Sequence, residues 1–283
     1  MFETPAPSSE VSSITAGFAD LPPETRNAIY ALIFDSPSPF FVAAARGPRR
    51  RFKLRERSEE SQHDAVSALQ TLDPVSRAIR QEVRTFFYAT KKFIILPYGY
   101  EYLPIFVQWL DSLGLKCRGV LRDVYLAGFM WYKGSVPLTR QFHDLLRSCT
   151  SLRKLGVQIN AWHLREVEAQ SLNAHLDIDA QDPQNALMPV INVSAWAETI
   201  VRLPELQKFM LDLVFSVDEI AESFGEVTQW RSLTKTRAIL FVEDVEKRLR
   251  KMIAELGTGS GGEVEVRYMG TDRRTYEKTP WWW

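Results

Sequence analysis

Cysteine is nearly absent: Cys117 and Cys149 are the two in 283 residues. Two thiols so far apart make neither a metal motif nor a disulfide framework, and their scarcity fits a reducing compartment, cytoplasm or nucleus. Net charge is also missing. Lysine plus arginine number 35 and aspartate plus glutamate 35, a balance that argues against a chain built mainly to hold nucleic acid. No apolar run approaches the roughly 20 residues of a membrane span. Met1 to Asp20 has no basic start and no apolar core, so no secretory signal is expected there.

Catalytic signatures are lacking as well. There is no G-x-x-x-x-G-K-[ST] loop, no G-x-S-x-G elbow and no H-E-x-x-H pair. The histidines His63, His143, His163 and His175 are scattered, and the carboxylates show no spacing suited to paired acid–base work. Gly257, Gly259 and Gly262 spell G-x-G-x-x-G, but they come after a helical pattern and precede a strand pattern. A dinucleotide site needs the reverse order, so that the pyrophosphate meets a helix N-terminus. Nothing nominates an active site, a metal or a cofactor, and the expectation is a protein that is not an enzyme. What remains is the composition of a globular chain, 45% hydrophobic and 25% charged.

The most organised stretch near the start is Leu21 to Phe34. Pro22 or Pro23 suits the first helical position, and Glu24 suits the positive end of the helix dipole. Thr25, Ile29, Leu32 and Ile33 share one face at a 3.6-residue period and are expected to point inward. Phe40–Ala43 reads as a short strand. The basic stretch Arg46, Arg49, Arg50, Arg51, Lys53, Arg55 and Arg57 reads as a solvated loop, or alternatively as a phosphate-binding patch through Arg49, Arg50, Arg51 and Lys53. Asp73-Pro74 reads as a helix start, with Val75, Ile79, Val83, Phe86 and Phe87 as the apolar stripe. Phe93–Leu96 is a buried strand. Residues 101–113 form the clearest helix, ended by Gly114, with Trp109 at the centre of its inward face.

From Leu121 onward, strand and helix alternate. Leu121-x-x-Val124-x-Leu126, Leu152-x-x-Leu155-x-Val157 and Leu206-x-x-Phe209-x-Leu211 repeat one spacing, the strand signature of leucine-rich repeats. The intervals, about 31 and 54 residues, exceed the roughly 20–29 of regular repeats. An irregular leucine-rich-like row and an ordinary βαβ arrangement account for the pattern equally well. Between the strands lie a helix over Leu138–Cys149, a weak one over 162–169, a polar loop over 173–185 and a short helix capped by Ser194. Glu243–Leu256 is a further helix and Val264–Tyr268 an edge strand, with a tail after it ending in Trp281-Trp282-Trp283.

Leu21-Pro22-Pro23-Glu24-Thr25-Arg26-Asn27-Ala28-Ile29-Tyr30 resembles the opening helix of the F-box-like proteins of filamentous fungi. Val75–Glu82 with Phe87-Tyr88 and Phe93 resembles the later helix of that family, and Phe106–Leu110 with Leu121-Arg122 resembles the segment beyond it. The resemblance spans roughly residues 18–130. It implies a substrate-recruiting subunit that docks a Skp-type adaptor of a cullin–RING ubiquitin ligase through Leu21, Pro22, Ile29 and Ile33 and presents an unidentified target protein. The alternatives are an interaction module without adaptor binding and a nucleic-acid-associated protein using residues 46–57. The expected fold is mixed α/β: a tail at 1–17, an F-box-like helical unit with a short hairpin at 18–96, an irregular leucine-rich-like strand and helix array at 97–269, and a tail at 270–283.

Overall fold

In the computed structural model the chain is described over residues 17–36, 38–45, 51–56, 65–96, 102–127, 136–164, 192–214, 235–257 and 262–269. Short β-branched and leucine-rich runs supply the described strands: β1 (Phe40–Ala45), β2 (Arg51–Glu56), β3 (Lys92–Ile95), β4 (Asp123–Leu126), β5 (Lys154–Asn160), β6 (Lys208–Val214) and β7 (Glu263–Tyr268). The described helices are α1 (Pro23–Ile33), α2 (Ala65–Leu72), α3 (Arg77–Thr90), α4 (Tyr102–Gly119), α5 (Val136–Arg147), α6 (Ser194–Val201) and α7 (Lys235–Leu256). The fold is therefore mixed α/β.

The strands form one sheet in the order β2-β1-β3-β4-β5-β6-β7. β2 pairs antiparallel with β1, and every other neighbour is parallel. From β1 to β7 the order advances one way, without the reversal that defines a doubly wound sheet. Right-handed crossovers that all step in one direction put their helices on the same face. The hydrophobic core agrees. One cluster joins Phe93, Val124, Leu155, Phe209 and Val264, which are aligned across the strands, to inward residues of the helices. The residues between them in sequence point to the other face, where Ile94, Tyr125 and Ala127 form a separate cluster with Phe41 and Leu96. β1 and β3 share this sheet and core with β4–β7, so the sheet runs unbroken across residue 97.

The leucine that opens each repeat is a buried wedge: Leu121, Leu152 and Leu206 all lie in the core. The segment behind it stitches one unit to the next. Arg153 and Lys154 donate their amides to Arg122 O at 2.8 and 2.9 Å, and Gln207 and Lys208 do the same to Arg153 O at 2.8 and 3.0 Å. At the last edge, α7 covers two of the backbone groups of β7. Val266 N–H donates to Glu246 at 3.3 Å, and Arg250 donates to Val264 O at 2.5 Å. Satisfying edge groups in this way leaves fewer of them to recruit a foreign strand.

Several local expectations are corrected. α1 turns Tyr30 and Phe34 inward rather than Thr25 and Leu32, which are exposed; Tyr30 packs on Phe86 and Phe34 on Phe87 at 5.6 and 5.3 Å. Two aromatics bury more surface than a threonine and a leucine, so they set the helix rotation. The basic stretch is not all loop. Arg51–Glu56 is strand β2, with Phe52 and Leu54 packed on the core and Lys53 and Arg55 outward. Asp73 does not cap α3. Ser76 does, accepting from Ile79 N–H at 3.1 Å, while Asp73 lies in the turn that ends α2. Val75 is consequently 63% exposed instead of lying in the apolar stripe. Before α6, the side chain of Asn192 rather than that of Ser194 takes the free amide, at 3.1 Å. The helix over residues 102–113 does end at Gly114, whose φ of 68° costs glycine little, and a second short helical run then carries α4 on to Gly119. The weak helix at 162–169 is a 3-10 turn over Ala161–Leu164 as far as it is described, and the loop at 173–185 and the terminal tryptophans lie outside the described residues.

Candidate functional site

Among the described residues α1 is held mainly by α3. Its first turn opens on Pro22-Pro23, and Arg26 then reaches back and across. The guanidinium donates to Leu21 O at 2.5 Å and forms a fork with Glu82 of α3 at 2.8 and 3.0 Å. Its hydrogen bond with Glu82 comes first among the influences that raise its pKa, ahead of the burial that opposes them. Such a two-pronged charged contact fixes orientation as well as distance. Below it, Tyr30 and Phe34 anchor the helix against α3. The outward face carries Pro22, Pro23, Ala28, Ala31 and Leu32, all exposed, with Leu32 at 75%.

The four residues expected to dock a partner divide on this helix. Pro22 is exposed, Leu21 and Ile29 are half-buried, and Ile33 is half-buried against the core. Of the expected phosphate-binding residues, Arg49 and Arg50 lie outside the described residues, and the side chain of Arg51 does too. Lys53 is exposed on β2.

A polar cluster on the sheet face opposite the helices is announced by no sequence motif. The ring of Tyr125 on β4 lies across Gly156 of β5, and a Cβ at Gly156 would sit 2.0 Å from Tyr125 Cδ2. Spanning β5 in this way, Tyr125 Oη donates to Asp212 Oδ2 of β6 at 2.6 Å. Arg267 of β7 clasps the same carboxylate at 2.6 and 2.8 Å. Asp212 is 0% exposed, so its charge depends entirely on these partners. Burial pulls the Arg267 pKa down, the Asp212 carboxylate more than offsets it, and the net direction is up. The arrangement locks four successive strands in register. The one local signal is a charged residue inside each of two otherwise apolar runs, Leu211-Asp212-Leu213 and Val266-Arg267-Tyr268.

Among the described residues no three His, Cys, Asp or Glu side chains gather as metal ligands, and no helix is long and apolar enough to cross a membrane. Both thiols are buried, and burial pushes Cys149 up to about 12 and raises Cys117, away from the range of a reactive thiolate. Compared with family models, curated proteins and solved structures, the chain matches none.

Proposed function

We propose that the protein is a non-catalytic binding adaptor of the F-box type. In this reading α1 docks a Skp-type adaptor of a cullin–RING ubiquitin ligase, and the leucine-rich-like strand and helix row presents a target protein. The observation that carries the reading is the division of α1 into two faces. Tyr30, Phe34 and the Arg26–Glu82 fork secure the inner face, while Pro22, Ala28 and Leu32 stay outward. A helix held this way offers apolar anchors to a partner groove without taking them from its own core. Leu32 therefore joins Pro22 as a docking anchor, and Ile33, half-buried, serves the fold.

The deciding experiment is a capture assay with a purified Skp-type adaptor at micromolar concentration. Wild-type chain is expected to bind. Leu32→Glu places a charge in a dry contact and is expected to weaken capture by at least about tenfold, with circular dichroism unchanged because the position is exposed. Failure of the folded wild-type chain to capture the adaptor overturns the proposal.

A further inference from the structure

The two edges of the sheet are finished differently. At β7 the outward backbone groups of Val264 and Val266 are engaged by Arg250 and Glu246 of α7. At β2 the register fixes which groups face out. Val42 O of β1 accepts from Leu96 N–H, so the backbone groups of Val42 turn towards β3, and those of Phe41 and Ala43 turn towards β2. In the antiparallel ladder these two residues meet Arg55 and Lys53. The N–H and C=O groups of Phe52 and Leu54 therefore point away from β1, and no hydrogen bond reaches them among the described residues. Unpaired groups of this kind are a template for an incoming strand.

The side chains of β2 select what that strand can be. Phe52 and Leu54 lie on the helix side and are half-buried, whereas Val42, the residue opposite Leu54, is 0% exposed. The core is thus unfinished at this margin. An open cleft of about 700 Å³ lies there, with Phe52 and Leu54 of β2 and Val66 and Leu69 of α2 in its lining. Phe52, Lys53 and Leu54 all line it although their side chains alternate between faces, as happens where a cleft follows the edge of a strand. On the opposite face Lys53 and Arg55 are exposed, and neither makes a hydrogen bond or ion pair among the described residues. Their counterparts across the ladder are Ala43 and Phe41, so β1 sets no carboxylate opposite either cation. Opposite charges in cross-strand pairs attract, and like charges repel. A second copy of β2 laid antiparallel on this edge, apolar residues against apolar, would set basic residues against Lys53 and Arg55. The edge is thereby closed to its own kind and open to a strand of the opposite charge.

We propose that the free edge of β2 receives an extended segment of a partner protein in which acidic and apolar residues alternate, so that the segment extends the sheet. Its backbone pairs with Phe52 and Leu54, its acidic side chains lie beside Lys53 and Arg55, and its apolar side chains continue the core next to Phe52 and Leu54. In this mode main-chain hydrogen bonds supply affinity and alternate side chains supply specificity. The edge shares no residue with the docking face of α1, and its test does not depend on adaptor capture.

The test is fluorescence anisotropy of the full chain with the labelled, end-capped peptide Glu-Val-Glu-Val-Glu-Val-Glu. Its controls are the segregated peptide Glu-Glu-Glu-Glu-Val-Val-Val, of the same composition, and the basic peptide Lys-Val-Lys-Val-Lys-Val-Lys. The alternating acidic peptide is expected to bind saturably, at least about tenfold more tightly than either control, and more weakly as salt is added. N-methylation of its valines or of its glutamates removes alternate N–H donors. At least one of the two forms is expected to lose binding, and which one reads the direction of the added strand. Lys53→Glu combined with Arg55→Glu changes two exposed side chains. This variant is expected to bind the acidic peptide at least about tenfold more weakly and the basic one more tightly, an exchange that loss of fold does not produce. The proposal is overturned by absence of saturable binding up to roughly 1 mM. It is also overturned by equal affinity for alternating and segregated peptides, by two methylated forms that both bind as the parent does, or by a folded charge-reversed variant that binds as wild type does. Tighter binding of a labelled oligothymidylate assigns the basic row to nucleic acid, and a wild-type dimer that the charge-reversed variant dissolves assigns the edge to a second copy; either result overturns the proposal.

Discussion

Lowering the pH should destabilise this protein through His143 in particular. The imidazole is 5% exposed on α5 and packs edge-on against Phe142 and Trp196, with centroids 5.0 and 4.9 Å away. Its Nδ1 lies 2.9 Å from Thr199 Oγ1. That hydroxyl already donates to Ala195 O at 2.8 Å, so it accepts from His143, which selects the Nδ1–H tautomer. Burial, helped by the Arg147 cation and opposed by Asp144, lowers the pKa from 6.5 to about 4. The folded state therefore binds the proton less readily than the unfolded chain. Stability is intact above pH 6.5 and falls as pH drops towards 4. At about 1.4 kcal/mol per pH unit the full loss is about 3–4 kcal/mol, with about 2 kcal/mol of it reached by pH 5. Urea unfolding of wild type and His143→Gln across this range isolates the effect, because other titrating groups are common to both. The wild type should lose about 2 kcal/mol more than the variant between pH 7.5 and 5. Parallel pH profiles would refute the argument, because they require an imidazole that binds its proton as readily in the folded as in the unfolded chain.

Three further outcomes concern the sheet and the central helix. Gly156→Ala drives a methyl group into the Tyr125 ring, 2.0 Å from Cδ2, and should cost about 2–4 kcal/mol in urea unfolding. Made in a Tyr125→Leu background, the same change should cost far less, a coupling that a double-mutant cycle reads directly. Arg267→Met strands the fully buried Asp212 carboxylate and should cost about 3–5 kcal/mol, part of which Asp212→Leu in the same chain restores. Trp109→Ala, at a 0% exposed position in contact with Phe93 and Phe106, should lower stability by about 3–5 kcal/mol, measured by thermal or urea unfolding.

The elements most legible in the sequence are those whose pattern and packing face coincide. Residues 102–113 repeat their apolar positions at the helical period, and Ile105, Phe106, Trp109, Leu110 and Leu113 are all buried, with Leu103 and Val107 beside them. The three Leu-x-x-apolar-x-apolar runs become β4, β5 and β6 because each apolar position meets its counterpart in register on the helix side. Period alone does not resolve a choice among near-equivalents. Ser76 and Asp73 are both good cap residues, and the turn that ends α2 claims Asp73. α2 itself, a single eight-residue helix, is too short to stand out in a periodicity window. The basic stretch stands out by its charge, although Phe52 and Leu54 alternate with Lys53 and Arg55 as an edge strand should.

The polar sites are hidden for a different reason. Tyr125, Gly156, Asp212 and Arg267 lie on four strands, and tyrosine, glycine, aspartate and arginine have no shared motif in sequence. Only the register makes them one object: Gln158 faces Asp212, Asp212 faces Arg267, and Gly156 faces Tyr125. Each of these residues taken singly reads as a surface charge or a core aromatic. The helix-side core comes from hydrophobic patterning, which local sequence carries. Polar chemistry on the sheet and beside it depends on which strands become neighbours, and that is decided by the one-way advance from β1 to β7. Candidate binding residues in a chain of this kind are therefore found by aligning strands before searching for motifs.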